Sequence, residues 1–440
     1  MNAVGITNPS VAKAKRVATA GESFPNVMID LVADPLDPCK LKLLLWDGTN
    51  AKLAPRIEYR SRTYEPVALH PTVVRGVRWP TCRSDYGSTR ELFDKILGLI
   101  TQYVGIAGQP ARLLVYLIFS TWFPDRLTVA PGLAILGPAV GEAIQLLRLL
   151  HCVCRRSMLL VGMPQPDLIS LPLSLSPSLL IDRPTLTCSL RGFLSGSNRR
   201  GLVAVRRGKI LDVCCPKVVY FSVGEFPDAI ASGMVQIILP PTAVQAQALD
   251  DEQLNDIAAE LQGKMLAYRL ANFAKIQVSQ SQGANFTHQT GELAVNLAAC
   301  VMDDPELAAG VLPLLREQDE CVRGQLDRDP GSVIIEAVLA CCHENEKDRV
   351  QVKEIAALAN AILRSRGELI ECSPEEAGHR LDILGLQRTR TNAGMVLSLT
   401  RATRRLVHGL ARTHDVLSVA NVVPGCPDCE AAPAAGSTIV

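Results

Sequence analysis

The stretch from Leu133 to Leu150, LAILGPAVGEAIQLLRLL, decides the fold class of this chain. It opens with the apolar run Leu133–Leu136, continues through a turn that contains Gly137, Pro138 and Gly141, and ends in a segment with apolar residues at helical spacing. A buried strand, a glycine-containing turn and an amphipathic helix are the elements of a P-loop. The stretch therefore predicts a strand-turn-helix unit in an α/β domain.

The residues that bind phosphate in a P-loop are missing from this stretch. The lysine and the hydroxyl residue that should follow the last glycine are Glu142 and Ala143, and Gly137 and Gly141 stand one residue closer than usual. The lysine contacts the phosphates and the hydroxyl binds magnesium. We predict that this degenerate nucleotide site keeps the shape of the turn without its phosphate chemistry; an ordinary strand-to-helix turn is the alternative.

Composition limits the class of protein. The 440 residues are enough for about two to four domains, and 48% apolar with 20% charged residues is typical of a packed globular chain. The net charge is +1, so any affinity for nucleic acid must come from local clusters. The N-terminus lacks the apolar run of a secretory signal, and the longest uncharged apolar stretch, 113–124, is too short to span a bilayer. We expect a soluble cytoplasmic protein without membrane contact.

The fourteen cysteines favour free thiols, because the chain is long and shows no export signal. Cys426 and Cys429 form a C-x-x-C pair, which supplies half of a tetrahedral zinc site. No second C-x-x-C pair or H-x₃-H pair lies nearby in the sequence, although His408 and His414 do. We therefore expect a solvated tail motif and no bound metal.

Short apolar runs recur along the middle of the chain. Runs of four or five residues suit strands that are covered on both faces, so they predict a mainly parallel sheet. The five runs are Leu133–Leu136, Met158–Val161, Leu179–Asp182, Val218–Ser222 and Val235–Leu239. Ahead of them, Asp47-Gly48 predicts a β-hairpin and Ser88 with Glu91 predicts a capped helix. Helical patterns fill residues 250–330.

Residues 332–414 have a separate pattern. A helix, a short strand near Val350 and a second helix are followed by a third helix that begins with Ser373 as its cap. Two strands with Asn392-Ala393-Gly394 at the tip and a last helix from Arg401 complete the segment. This is the order of elements in a winged helix.

The segment Ser178–Leu186, SLLIDRPTL, has the form of a Walker B strand, four apolar residues that end in Asp182. The glutamate that normally follows is Arg183. Further on come Asn198-Arg199-Arg200-Gly201, Pro216-Lys217 and an apolar strand with Ser222 at its end. Phe226-Pro227-Asp228 and Gly233 follow.

In this order the motifs resemble those of the helicase- and primase-associated P-loop (AAA+-like) ATPases of phage, plasmid and bacterial origin, which carry a C-terminal winged helix. The resemblance covers roughly residues 91–415. It implies an N-R-R-G turn before a basic β-hairpin, a sensor at Ser222, a proline motif at Phe226-Pro227-Asp228 and an arginine finger at the position of Gly233. The implied fold class is α/β, a P-loop NTPase-like and mainly parallel sheet domain with a small β-rich N-terminal part, a helical segment and a C-terminal winged helix.

The resemblance also sets the predicted domain boundaries. They are a disordered N-terminus at 1–25, a β-rich part at 26–85, a degenerate P-loop ATPase-like domain at 86–245, a helical lid-like segment at 246–330, a winged helix at 331–415 and a tail at 416–440.

The departures from the family agree with one another. Glu142, Ala143, Arg183 and Gly233 replace the phosphate lysine, the magnesium hydroxyl, the Walker B glutamate and the arginine finger. Each loss removes a group that stabilises the transferring phosphoryl group. We predict no ATP hydrolysis, doubtful binding of ATP and magnesium, and no other cofactor; only Asp182 and Ser222 remain as degenerate catalytic positions.

Two basic regions predict contacts to the phosphates of nucleic acid. Between 183 and 217 the only acidic residue is Asp212, and between 379 and 412 it is Asp382. The candidate residues are Arg199, Arg200, Arg206, Arg207, Arg380, Arg388, Arg390, Arg404 and Arg405. A solvated surface is the alternative for both regions. Glu375 and Glu376 acidify the start of the third helix, which favours backbone contacts over base contacts there.

The sequence thus predicts a pseudo-ATPase of helicase type that binds double-stranded nucleic acid through a winged helix and basic patches. Two alternatives stay open, an active ATPase or helicase with a divergent P-loop and a protein-interaction scaffold. A protein partner or a homo-oligomer is compatible with each of them.

Overall fold

The computed structural model describes residues 15–161, 171–184, 186–196, 198–206, 209–222, 234–239, 247–278, 286–328, 330–343, 348–366, 371–392, 394–414, 416, 423–424 and 426–430. They fall into two compact units. Unit 1 comprises Met1–Ala284 and Gln289–Leu315, and unit 2 comprises Asn285–His288 and Arg316–Val440.

Unit 1 opens with seven strands: β1 Lys15–Thr19, β2 Gly21–Ser23, β3 Met28–Asp34, β4 Asp37–Trp46, β5 Ala51–Ala54, β6 Ile57–Tyr59 and β7 Arg62–Pro66. They build an antiparallel sheet β2-β3-β4-β5 and a smaller sheet β1-β7-β6. Strands β1 and β2 occupy residues that the sequence analysis assigned to a disordered N-terminus. That assignment is corrected from Lys15 onward, because β1 pairs in parallel with β7.

The predicted hairpin at Asp47-Gly48 joins β4 and β5. The Asp47 carboxylate accepts hydrogen bonds from the backbone N–H groups of Thr49 and Asn50, which closes the turn. These bonds lower the pKa of Asp47 to about 2.

Three helices follow, α1 Pro71–Gly76, α2 Thr89–Val104 and α3 Gly108–Thr121. The start of α2 has the predicted capping box, because Ser88 accepts from the N–H of Glu91 and the Glu91 carboxylate accepts from the N–H of Ser88. Helix α3 is almost wholly buried.

The elements from 132 to 238 alternate between strands and helices. In chain order they are β8 Gly132–Leu136, α4 Val140–Val153, β9 Met158–Val161, β10 Leu179–Asp182, α5 Cys188–Gly196, β11 Val203–Arg206, β12 Lys209–Asp212, β13 Lys217–Phe221 and β14 Met234–Ile238. Strands β8, β9, β10, β13 and β14 are the five predicted from apolar runs. They form one parallel sheet in the order β14-β8-β13-β10-β9, and β11 and β12 form a separate antiparallel hairpin.

One hydrophobic core lies between the parallel sheet and the N-terminal strands. Leu179 and Ile181 of β10 and Val219 of β13 pack in it together with Leu31 and Leu43 of the N-terminal sheet. The five-stranded sheet is therefore covered by a second sheet on one face. Helix α4 packs on β9 and β10 and on α2.

Three further helices follow the parallel sheet, α6 Asp251–Asn272, α7 His288–Ala299 and α8 Pro305–Arg328. They confirm the helical pattern predicted for residues 250–330. Among the described residues, no helix combines the length and the apolar character that crossing a membrane requires.

The elements after α8 are α9 Pro330–His343, β15 Arg349–Gln351, α10 Val352–Ser365, α11 Pro374–Ile383, β16 Arg388–Thr391, β17 Gly394–Ser398, α12 Arg401–Thr413 and α13 Pro427–Glu430. Strands β15, β17 and β16 form an antiparallel sheet in that order. Ser373 caps α11 by accepting from the N–H of Glu376, as predicted. The division between the two units falls at Leu315, inside α8, whereas the sequence analysis set its boundary at 330.

Candidate nucleotide site, nucleic-acid surfaces and metal cluster

Three of the predicted site positions meet at one edge of the parallel sheet. Strands β8, β13 and β10 are neighbours, so Gly137, Ser222 and Asp182 follow or end three adjacent strands at their carboxyl ends. In open α/β sheets, ligands bind in the crevice at this edge, next to the point where the strand order reverses. The structure therefore places the predicted nucleotide positions where such a site would lie.

The backbone of the turn 137–141 is largely engaged within the protein. The N–H of Gly137 donates to the carbonyl of Phe221 at 3.2 Å, and the N–H of Val140 donates to the carbonyl of Pro138 at 2.8 Å. Pro138 itself has no N–H group. A phosphate cradle needs several N–H groups that point at the ligand, and this turn uses two of them for its own hydrogen bonds.

The side chain of Tyr220 lies against the same turn. Its hydroxyl donates to the carbonyl oxygen of Gly137 at 3.1 Å, and burial raises its pKa. On α4, Ala143 is fully buried, whereas Glu142 is half-buried in the first turn. A carboxylate is favourable at a helix N-terminus, so Glu142 supplies the negative charge that a bound phosphate would bring.

Asp182, at the end of β10, is paired with the residue that replaces the Walker B glutamate. Arg183 donates from Nε and from one terminal nitrogen to the two carboxylate oxygens of Asp182, both at 2.9 Å. The backbone of Arg183 is left-handed, with φ of +42°. Both carboxylate oxygens that would bind magnesium in a working site therefore accept hydrogen bonds from the Arg183 guanidinium.

Gly137 is required by packing, independently of any nucleotide. Its φ is +128°, and a Cβ here would overlap the carbonyl oxygen of Leu239, just beyond β14.

We expect Gly137→Ala to lower the free energy of unfolding by about 1–3 kcal/mol. Gly141→Ala is the matched control, because a Cβ there meets nothing within 4 Å. Gly141 lies in the first turn of α4, so this change should be neutral or stabilise by up to about 1 kcal/mol. Denaturant unfolding followed by tryptophan fluorescence measures both, and equal effects would contradict the packing argument.

Two motifs that the sequence analysis singled out contact each other directly. Lys217 is fully buried, and its ammonium donates to the side-chain oxygen of Asn198 at 2.8 Å and to the carbonyl of Cys215 at 2.9 Å. It also lies 4.7 Å from the ring centroid of Phe193. Burial lowers the pKa of Lys217. The backbone carbonyl of Asn198 accepts from the N–H of Ala130, next to β8. These contacts hold the base of the β11–β12 hairpin beside the sheet.

The predicted nucleic-acid residues of unit 1 divide into two groups. Arg199 pairs with Glu292, and Arg200 donates to the carbonyl of Pro124 at 2.8 Å. Both make intramolecular contacts. Arg207 and the side chain of Arg206, near the hairpin tip, lie outside the described residues, as do Phe226-Pro227-Asp228 and Gly233. The predicted hairpin itself is present as β11 and β12.

The predicted arginines of unit 2 differ in how closely other residues of the protein hold them. Arg388 makes a two-pronged ion pair with Asp382 on α11, and Arg404 donates to the backbone carbonyls of Leu399 and Cys342. Of the other three predicted residues, Arg390 is exposed and Arg380 is half-buried. Arg405 is exposed as well, although its Nε lies 3.7 Å from the carboxylate of Asp428. Arg401, at the first position of α12, is exposed as well.

The C-x-x-C pair has two histidine neighbours. Ligand atoms of His343, His408, Cys426 and Cys429 all lie within 4.8 Å of one another. His343 Nε2 is 3.2 Å from both His408 Nε2 and Cys429 Sγ, and His408 Nε2 is 3.5 Å from Cys426 Sγ. His408 was recognisable in the sequence as a neighbour of the pair, but His343 was not, because it stands 83 residues before Cys426 and shares no local spacing with it. The cysteines whose side chains the structure describes form no disulfide bonds.

A buried charge network also escaped the sequence analysis. Asp30 on β3 accepts from Arg155 and Arg156, which follow α4, and from Arg269 on α6. Arg269 also pairs with Asp125. Burial by itself raises the pKa of Asp30, but the three guanidinium groups hold that pKa well below its usual range. Because the members come from four distant segments, no spacing in the sequence could indicate the network.

Fold and sites together define a mixed α/β protein built on a five-stranded parallel sheet with several antiparallel sheets. No family model and no curated protein matches the chain. Similar solved structures include two of the NrS-1 C-terminal region in its A-form apo state, each at 10% identity over 84% of this chain and 96% of that chain, with TM-scores of 0.33 and 0.34. Drosophila ORC bound to DNA matches at 12% identity over 75% and 93%, with a TM-score of 0.17. TM-scores of this size do not assign the chain to a family.

Proposed function

We propose that this protein is a P-loop ATPase-like protein of the helicase type that does not hydrolyse ATP and that binds double-stranded nucleic acid through unit 2. Two features support the P-loop part of the proposal. The turn after β8 and the acid at the end of β10 lie on strands separated only by β13, and Ser222 follows that middle strand. Three of the predicted positions thus lie at the same edge of the parallel sheet, as the proposal requires.

The ion pair between Asp182 and Arg183 is the main observation that supports the proposed absence of ATP hydrolysis. A magnesium ion at this carboxylate would have to displace a guanidinium held by two hydrogen bonds of 2.9 Å. The cation would also lack the hydroxyl ligand, because Ala143 replaces it. The engaged N–H groups of Gly137 and Val140 and the negative charge of Glu142 disfavour a phosphate at the same place.

Unit 2 supports the nucleic-acid part of the proposal. The order α9, β15, α10, α11, β16, β17, α12 with the antiparallel sheet β15-β17-β16 is the order expected of a winged helix, with β16 and β17 as the wing. We propose that its phosphate-binding face comprises Arg390, Arg401 and Arg405. These three are exposed, and within the described part of the chain only Arg405 lies near an acid, with Nε 3.7 Å from the carboxylate of Asp428 in a partly exposed ion pair. Arg388 and Arg404 are held more closely by other residues.

A protein-interaction scaffold is the second candidate, and two observations favour it. The hairpin β11–β12 exposes apolar side chains, with Val205 at 69% and Ile210 at 73% of their full exposure. Helix α11 exposes Ile383 at its end, and its first turn carries Glu375 and Glu376, which would repel nucleic acid. An active ATPase with a divergent P-loop is the third candidate, and the Asp182–Arg183 pair is the observation that speaks against it.

Calorimetric titration of the full chain with ATP, with and without magnesium, tests the proposal. We expect no saturable binding in the micromolar range and no release of phosphate, because the carboxylate and the turn are both occupied by protein groups. Asp182→Ala is the matched control for any trace of hydrolysis, since it removes the only acid predicted to hold magnesium. Micromolar affinity, or phosphate release that Asp182→Ala abolishes, would establish the active-ATPase alternative.

A further inference from the structure

Four side chains of unit 2 direct metal-binding atoms at a common point. His343 is the last residue of α9, and His408 lies in the middle of α12. Cys426 directly precedes α13 and Cys429 lies within it, in residues 426–430, here called the C-terminal segment. Their closest nitrogen and sulfur atoms are 3.2–3.5 Å apart. We propose that these four residues bind one zinc ion, which fastens the C-terminal segment to α9 and α12.

The distances fit a tetrahedral zinc site. With zinc bonds of about 2.0 Å to nitrogen and about 2.3 Å to sulfur, tetrahedral geometry separates neighbouring ligand atoms by about 3.3–3.8 Å. Three separations between ligand atoms, 3.2, 3.2 and 3.5 Å, lie within or just below this range. Two imidazoles and two thiolates form a Cys₂His₂ set, which selects zinc over magnesium or calcium because the ligands are nitrogen and sulfur.

The number of ligands indicates a structural site. A catalytic zinc keeps one position open for water, whereas four protein ligands close the coordination sphere. His408 and Cys429 are buried, and His343 and Cys426 are half-buried, so little room remains for a fifth group. When zinc binds, the two thiols release their protons to solvent, and the two thiolates balance the charge of the ion.

Further hydrogen bonds orient the four ligand residues. His408 Nδ1 lies 2.7 Å from the backbone carbonyl of Arg404, so Nδ1 carries the proton and donates it, which leaves the lone pair of Nε2 free to face the cluster. The N–H of Cys429 donates to the carbonyl of Cys426 at 3.1 Å, which holds the C-x-x-C turn. The guanidinium of Arg412 donates to the carbonyl of Asp428, so α12 also contacts the residue directly before Cys429.

Zinc binding would therefore contribute to the stability of unit 2. The segment 426–430 forms only the short helix α13, and two thiolate–zinc bonds would attach it to the end of α9 and the middle of α12. The binding free energy of a structural zinc becomes folding free energy, because the unfolded chain holds no preformed site.

Metal analysis of the full chain, purified without chelators and with thiols kept reduced, tests the inference. We expect about one zinc per chain by mass spectrometry of the elements. The zinc should be lost in Cys426→Ser/Cys429→Ser and in His343→Asn/His408→Asn. The matched controls are His414→Asn and Cys39→Ser, which change the same residue types outside the cluster and should keep the full zinc content.

Replacement by cobalt provides a second measurement on the unaltered chain. Co²⁺ added to metal-free protein should give the intense visible bands of tetrahedral coordination with thiolate-to-metal charge transfer, and zinc should displace it. Stoichiometric zinc that persists in Cys426→Ser/Cys429→Ser would overturn the inference. So would a chain that takes up neither zinc nor cobalt while its thiols are reduced.

Discussion

Replacing Asp30 by asparagine is expected to lower the free energy of unfolding of unit 1 by about 3–5 kcal/mol. The side chain of Asp30 is 3% exposed and those of Arg155, Arg156 and Arg269 are 3–6% exposed. Asparagine keeps the shape and one acceptor oxygen but removes the charge. Three buried guanidinium groups would then face a single carboxylate, that of Asp125, whose side chain is 38% exposed.

Asp37→Ala is the matched control for this prediction. Its ion pair with Lys40 is exposed, with 40% and 75% side-chain exposure, so its loss should leave the free energy of unfolding nearly unchanged. Denaturant unfolding can be followed selectively, because the three tryptophans, Trp46, Trp79 and Trp122, all belong to unit 1. An Asp30→Asn chain whose unfolding free energy lies within about 1 kcal/mol of the unaltered chain would contradict the prediction.

The dependence of stability on pH provides a second readout of the same carboxylate. The pKa of Asp30 in the folded chain lies below the value of about 3.9 in the unfolded chain. Its stabilising contribution is therefore fully present above about pH 4 and is lost as the pH falls from there toward the folded-state pKa. The Asp30→Asn chain should lose less stability than the unaltered chain over this acidic interval.

The elements of the fold could be predicted because their causes are local. Short apolar runs predicted β8, β9, β10, β13 and β14 to within one residue at their ends. A strand covered on both faces needs apolar residues on both of them. Strands β8, β10 and β13 are covered in this way, whereas the edge strand β9 exposes Val161. The caps of α2 and α11 followed from a hydroxyl residue and a glutamate three positions later. Each of these signals lies within a few residues of the element that it defines.

The candidate sites could be predicted only in part, because their causes are distant in sequence. The sequence predicts that Arg388 and Arg390 lie on one strand. It does not predict that the Asp382 carboxylate forms an ion pair with Arg388 and leaves Arg390 exposed. It offered Cys426 and Cys429 as half of a metal site, but His343 comes from the end of another helix. Partners of this kind are set by how helices and strands pack, and neither periodicity nor spacing encodes that packing.

Nucleic-acid binding by unit 2 is expected to depend on Arg390, Arg401 and Arg405. Arg401 and Arg405 are four residues apart on α12 and so share a face, and Arg390 projects from the wing strand β16. Each phosphate contact contributes about 0.9 to the slope of log affinity against log salt concentration. Loss of all three should flatten that slope by roughly 2.7 and weaken binding at 0.1 M salt by about 10²–10³-fold. Fluorescence anisotropy of the full chain with a labelled duplex across a salt series measures both quantities.

The pair Arg388 and Asp382 supplies the control that separates phosphate contact from general basicity. Arg388 stands two residues from Arg390 on the same strand, but its guanidinium is committed to Asp382. The double variant Arg388→Ala/Asp382→Ala removes one charge of each sign, so affinity and salt slope should stay close to those of the unaltered chain.

Because the contacts are to the nucleic-acid backbone, Arg390→Ala should weaken binding to duplexes of unrelated sequence by the same factor. If Arg390→Ala/Arg401→Ala/Arg405→Ala binds duplex as tightly as the unaltered chain, this face does not contact phosphate. The exposed Ile383 and the acidic start of α11 would then make protein recognition the leading function of unit 2.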